Sequence, residues 1–375
     1  MNRFVYLDHN ATTKVSAYIK DAVQPYLDLA YGNPSSRYMI GSKIKSKIDD
    51  ARKNCAELLD CEPENIIFTS GGSESNCAAF NSAINFYPER KKIVTTKVEH
   101  TSILEYCKLM ENKGYEVVYL DVDKNCNLIV EQLEQVIDEN TCLVSIQFAN
   151  NEVGTILLTN EVLTRIHELK VKHKFVFHVD AVQALGKLKL DIDNIDADLM
   201  SFSGHKVHCP KGIGMLYVKN RKEFTPLITG HQEFGLRGGT ENVVGIISLG
   251  EACKHIRLNL RKILKQLEET RNDLEKKILK YDGLKVNAKN VDRIPNTTSI
   301  TFNVEEGNAT MLKLERYGIF VSTGSACNSE SSEPSHVLVS MGIENPGNTI
   351  RVSIDESTTT SEIDYFVKIL KDKII

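Results

Sequence analysis

Short runs of β-branched and aromatic residues recur along the first two-thirds of the chain, at 65–69, 93–96, 116–120, 142–148, 175–179, 199–202 and 215–218. Several are apolar throughout rather than alternating, the pattern of strands covered on both faces. Between them lie stretches with apolar positions at helical spacing, at 42–59, 102–112, 130–137 and 160–173. Alternation of this kind predicts an α/β fold with a mostly parallel seven-stranded sheet wrapped by helices. Ligands in such sheets gather at the strands' carboxyl ends, so chemistry is expected at the residues just past each run. Past Asn242, the residues Ile256, Leu260, Ile263, Leu267, Leu274 and Ile278 repeat at helical spacing up to Asp282-Gly283. They predict one long helix leading into a second unit. That unit offers strands at 299–302, 319–322 and 349–353 with helices between, a smaller α+β domain. The expected division is a large domain at 15–255 and a small one formed by 1–14 plus 256–375.

Composition narrows the class. The 375 residues are 41% hydrophobic and 26% charged, which suits a globular protein of roughly two domains. A formal net charge of -4 leaves no basic footprint for nucleic acid, and Lys170, Lys172, His173 and Lys174 read as a solvated helix end. The N-terminus has no apolar signal core, and no apolar run approaches the ~18 residues of a membrane span. The expectation is a cytoplasmic protein with neither a membrane nor a direct nucleic-acid partner. Nine scattered cysteines without a Cys-x-x-Cys pair predict no disulfide framework and no metal site, with most of the thiols buried.

The run 199–202 opens into Ser203-Gly204-His205-Lys206. A lysine among hydroxyl and imidazole groups just past a strand suits a Schiff base with pyridoxal phosphate (PLP), with Ser203 and His205 meeting the phosphate. The run 175–179 ends in Asp180-Ala181-Val182-Gln183. A carboxylate there suits a protonated pyridine nitrogen, and Gln183 the ring oxygen. After 65–69 comes Ser70-Gly71-Gly72-Ser73, where glycines and a helix N-terminus suit a phosphate. An ordinary turn and cap is the plainer reading of the same residues. His100 precedes a helix and suits stacking on the ring and proton movement, or a structural role. Asn151 stands just past another apolar run and suits a ring oxygen or a substrate carboxylate, or a turn. Leu236-Arg237-Gly238-Gly239-Thr240 is a second glycine-rich turn into a helix.

These motifs occur together with Leu7-Asp8-His9-Asn10-Ala11-Thr12-Thr13, Gly32-Asn33-Pro34-Ser35-Ser36, Asn150-Asn151-Glu152-Val153-Gly154 and Gly324-Ser325-Ala326-Cys327. In this order, from residue 6 to about 353, the chain resembles the cysteine desulfurases of the class V aminotransferase family. The resemblance implies a homodimeric fold-type I PLP enzyme that converts L-cysteine to L-alanine and hands the sulfur on as a persulfide. It implies that Lys206 carries the cofactor, Asp180 meets the pyridine nitrogen, Gln183 and Asn151 meet the ring oxygen, and His100 stacks on the ring. Phosphate contacts are implied for Gly72, Ser73, Ser203 and His205, with Thr240 reaching in from the other subunit. Asn33, Asn151 and Arg351 are implied at the substrate, Arg351 clamping its carboxylate.

Cys327 is implied as the persulfide carrier. Its surroundings, 322–334, are polar and small with no apolar period, which predicts an exposed, mobile loop from which a thiolate reaches substrate and then a protein acceptor. Four positions depart from the family's usual residues: Tyr38 stands for His, Cys209 for Gly, Gly238 for Ser and Asp355 for Gly. Iron-sulfur assembly, tRNA thiolation and DNA sulfur modification all draw on such a persulfide. The alternatives are a selenocysteine lyase, another class V aminotransferase, or a sulfur-carrier scaffold without turnover.

Overall fold

The structure is a computed structural model describing residues 4–303, 306–323 and 334–375. The first half runs β1 (Val5–Tyr6), α1 (Ala17–Asp28), α2 (Met39–Leu59), β2 (Ile66–Thr69), α3 (Gly72–Phe86), β3 (Lys92–Thr96), α4 (Thr101–Glu111), β4 (Glu116–Leu120), α5 (Glu131–Val136), β5 (Thr141–Gln147) and α6 (Asn160–His173). It continues with β6 (Val176–Asp180), α7 (Ile192–Ile195), β7 (Leu199–Ser203), β8 (Gly214–Val218), α8 (Val243–Ile278), β9 (Leu284–Val286), β10 (Thr297–Phe302), α9 (Gly307–Glu315), β11 (Ile319–Phe320), α10 (His336–Ser340), β12 (Thr349–Ser353) and α11 (Thr360–Lys373).

All seven apolar runs of the first two-thirds are strands of one sheet, in the order β2-β8-β7-β6-β5-β3-β4. Pairings from β7 through β4 are parallel, and β8 alone runs against its neighbours. Every residue of β5, β7 and β8 is buried, which is why these strands read as continuous apolar runs. Because β2, β3, β5, β6 and β7 point the same way, the residues after them collect along one edge of the sheet.

A second hydrophobic core forms around an antiparallel sheet, β12-β10-β9, and the parallel pair β1-β11. Helix α8 joins the two cores. Its Ile256 packs in the first, while Ile263, Leu267, Leu274 and Ile278 pack in the second. The helix stops at Ile278, short of the predicted Asp282-Gly283, and Gly283, with φ +85°, lies in the turn into β9. Two elements carried no usable pattern. Strand β1 is two residues long, and α1 holds Pro25 in its interior, which interrupts a helical reading.

The N-terminal segment ties the cores together. Val5 and Leu7 N–H groups donate to Gly318 and Phe320 carbonyls, Ser353 N–H donates to the Leu7 carbonyl, and Thr13 N–H donates to the His205 carbonyl beside Lys206. Helices α2 and α8 pack so closely that a Cβ on Gly250 would lie 2.5 Å from Ala51 Cα. Gly250→Val is therefore expected to lower stability by about 2 kcal/mol or more through overpacking against backbone, read as a fall in the calorimetric unfolding temperature.

Candidate active site

At the end of β2, the chain turns through Ser70-Gly71 into α3, whose first residues are Gly72 and Ser73. The first N–H groups of a helix lack partners within it and carry its positive dipole end, so this turn is an anion cradle. Space at 72 is tight, since a Cβ there would fall 2.8 Å from Val182 Cγ2 and force that side chain to shift. Ser203, at the end of β7, and His205 line the same cleft, whose volume is about 310 Å³. Glu74 anchors the cradle to the second glycine turn. It accepts from Ser70 N–H at 2.8 Å and from Arg237 Nε at 2.9 Å.

Asp180, the last residue of β6, is buried at the bottom of the cleft. Val182 N–H donates to its Oδ1 at 3.0 Å and Asn76 Nδ2 to its Oδ2 at 2.9 Å. The Asn76 amide also donates to Ser102 Oγ, which meets His100 Nδ1 at 2.9 Å, so one chain of hydrogen bonds orients carboxylate and imidazole together. His100 caps α4, and its Nδ1 accepts the Ser102 backbone N–H at 3.1 Å. A backbone N–H only donates, so the neutral ring carries its proton on Nε2. Burial pushes the His100 pKa down, which keeps that ring neutral. His205 is pushed down to about 4, first by burial and then by the charges of Lys206, Lys211 and Lys187.

Lys206 Nζ donates to the carbonyls of Asn10 and Ala11 at 2.6 and 2.7 Å. Gln183 Nε2 donates to the same Asn10 carbonyl at 3.1 Å. Arg351 comes from β12 of the second core, buried, with one terminal nitrogen on Asp8 at 2.6 Å and the other on the Asn151 carbonyl at 3.1 Å. Its buried Nε has no hydrogen-bond partner.

The structure thus brings Gly72, Ser73, His100, Asn151, Asp180, Gln183, Ser203, His205, Lys206 and Arg351 around one cleft. Asn33 and Thr240 are exposed and do not line it. Cys327 lies outside the described residues, but its flanks are tied to cleft elements. Ser322 and Arg351 exchange backbone hydrogen bonds, and Ser335 Oγ donates to Glu152 at 2.5 Å. Of the departing positions, Cys209 is buried, one of six buried cysteines among the described eight, and Asp355 pairs with His9 at 3.1 Å. Sequence reasoning gave no role to Asp8, Asn10 or Asn76. The first two stand in the Leu7 to Thr13 motif and the third one turn into α3, and their function shows only when the strands assemble.

The Aminotransferase class-V family model matches residues 5–366. The chain belongs to the class V aminotransferase family. A cysteine desulfurase of Nostoc sp. is 43% identical over 374 residues, covering 98% of this chain and 92% of the relative. A solved structure of a NifS-like protein superposes with a TM-score of 0.91 at 35% identity, covering 98% of both chains. The structure of SspA in complex with cysteine superposes with a TM-score of 0.83 at 32% identity, covering 95% of this chain and 100% of that one.

Class V aminotransferases are PLP-dependent, and the cleft suits that cofactor chemically. It offers a helix-start anion cradle with little room for a side chain at 72, a fixed carboxylate suited to a pyridine nitrogen, a neutral imidazole and an amine.

Behind His100, Glu99 is fully buried, accepting from Thr96 Oγ and Gln147 N–H, while its Oε2 has no partner. Burial raises its pKa from 4.5 to about 8. The folded protein then binds a proton that the unfolded chain releases, so this group's contribution to stability is full below pH ~4.5 and is lost as pH rises through about 8. Glu99→Gln is expected to flatten the fall in unfolding free energy between pH 5.5 and 8.5 by on the order of 3 kcal/mol. Urea melts at the two pH values check it, and an unchanged slope would contradict it.

Proposed function

We propose that this class V aminotransferase is a cysteine desulfurase using PLP. The observation that carries the reading is the convergence of Lys206, Asp180, His100 and Arg351 on one cleft in a chain whose near relatives are cysteine desulfurases. Bound PLP supplies an aldehyde that captures amines and a ring that stores the electron pair released at an amino acid's α-carbon. Gly72, Ser73, Ser203 and His205 hold its phosphate, and Asp180 holds a proton at its pyridine nitrogen. Gln183 and Asn151 meet its ring oxygen, and His100 covers a ring face. Lys206 Nζ anchors the cofactor and then takes and returns the proton at the substrate α-carbon. The guanidinium of Arg351, which lines the cleft, binds the substrate carboxylate. Asn33, exposed and outside the lining of its own chain's cleft, is assigned to the substrate.

In the net reaction the Cβ–S bond of L-cysteine breaks and an S–S bond forms on Cys327. L-cysteine and the Cys327 thiol become L-alanine and a Cys327 persulfide, whose outer sulfur passes to a protein acceptor. The anchoring of Ser322 to Arg351 and of Ser335 to Glu152 supports a carrier segment that starts and ends beside the cleft. Thr240, exposed outside the cleft of its own chain, is assigned to the phosphate site of a second copy in a homodimer. The passage of α8 from one core to the other between Ile256 and Ile263 supports the division into 15–255 and 1–14 plus 256–375. A cytoplasmic enzyme fits these assignments. Among the described residues no helix is long and apolar enough to cross a membrane.

The purified protein is expected to be yellow and to form alanine and enzyme persulfide from L-cysteine. Lys206→Ala is expected to lose the visible band that reports covalent attachment. Cys327→Ala is expected to keep the colour and form no persulfide, and wild-type persulfide and alanine yields from it would refute the carrier assignment. Arg351→Lys is expected to raise KM for L-cysteine roughly 10- to 100-fold with a smaller change in kcat, since an ammonium cannot match a carboxylate bidentately. Steady-state kinetics check this, and an unchanged KM would remove Arg351 from the substrate site.

A further inference from the structure

Four residues past Gln183, the turn brings a lysine back into the protein interior. Gly186 takes φ +74°, and Lys187 then points inward, only 7% exposed. Its Nζ donates to Gln183 Oε1 at 2.5 Å and reaches Asn10 Oδ1 at 3.4 Å. Both of these oxygens belong to neutral amides, so neither contact is an ion pair. A lysine is rarely buried without a partner that explains it. Burial, and then the positive charges of Lys206 and Arg351, push its pKa well below the ordinary value, so the amine serves there as a hydrogen-bond donor rather than as a charge.

What that donor controls is the orientation of the Gln183 amide. The nitrogen end of the amide faces the Asn10 carbonyl, which only accepts, and the oxygen end faces the Lys187 amine. One N–H of Gln183 is spent on Asn10, and Gln183 also lines the cofactor cleft. Without Lys187 the amide oxygen would be a buried acceptor with its donor gone, and rotation of the side chain would relieve it.

We propose that Lys187 is a positioning residue that locks the Gln183 amide so that it presents an N–H, and not its carbonyl oxygen, to the ring oxygen of the cofactor. The proposal rests on the reading of the cleft as a PLP site. A donor at the ring oxygen stabilises its negative charge, so losing the donor favours retention of the proton that titrates the visible absorption band.

The test uses the PLP-loaded protein and reads the band against pH, together with the dissociation constant for PLP. Lys187→Met, close in length and without a donor, is expected to move the titration midpoint to higher pH and weaken PLP binding about tenfold. Gln183→Ala is expected to give a similar displacement, and adding Lys187→Met to it is expected to move the midpoint no further, because the lysine acts on the ring oxygen through that amide. A merely structural lysine would give additive losses. Should Lys187→Met not yield folded protein, Lys187→Gln carries the test. It keeps a side-chain donor, so its displacement should be smaller than that of Gln183→Ala, and an equal one overturns the proposal. A yellow wild type whose Lys187→Met variant keeps the same midpoint and affinity overturns the role of Lys187 alone. A wild type that takes up no PLP overturns the cleft reading, and this proposal with it.

Discussion

Asn10 is the polar knot on which the cleft depends. Its carbonyl receives Lys206 and Gln183, its N–H donates to Ser353 Oγ, its amide nitrogen donates to Thr297 Oγ and the Asn151 carbonyl, and its amide oxygen receives Asn296 and Lys187. Few side chains satisfy so many partners, and here they come from both hydrophobic cores. Because buried polar groups are costly unless paired, this arrangement is rigid: shifting one partner strands the others. Lys206, the Gln183 amide and the strand bearing Arg351 are therefore held in one frame.

Burial sets the chemical character of that frame. His100 and His205 are held as neutral rings, and Lys187 is pushed toward the neutral amine by the same desolvation. Behind them, Glu99 and Glu152 have carboxyls raised to about 8 and about 7. Beside these groups stands the salt bridge between Arg351 and Asp8. The Arg351 guanidinium is held in place there by Asp8 and the Asn151 carbonyl.

Much of the fold was legible because burial on both faces writes itself as uninterrupted apolar runs. All seven strands of the main sheet lie within a residue or so of their predicted ends, and α8 starts just past Asn242 as the sequence predicts. What escaped has local reasons. Pro25 hides α1, two residues are too few to show a period in β1, and Gly283 belongs to a turn rather than to a helix stop. Within the site, Lys206, Asp180 and Gln183 were readable from their places at or just past the ends of apolar strands. Lys187 was not, since a lysine in a turn looks like any solvated one until the turn is seen to fold it inward.

The sequence by itself determined which residue types stand at the sheet's carboxyl edge, because strand ends and glycine turns are local features of a few neighbouring residues. Tertiary structure alone decided which of them meet. Arg351 reaches Asn151 across 200 residues, and Asn10 reaches Lys206 across 196. Such contacts leave no period or spacing in the chain, since they arise from the packing of two cores against a shared N-terminal segment. That packing turns a scattered set of amines, amides and carboxylates into one cleft with a defined electrostatic order.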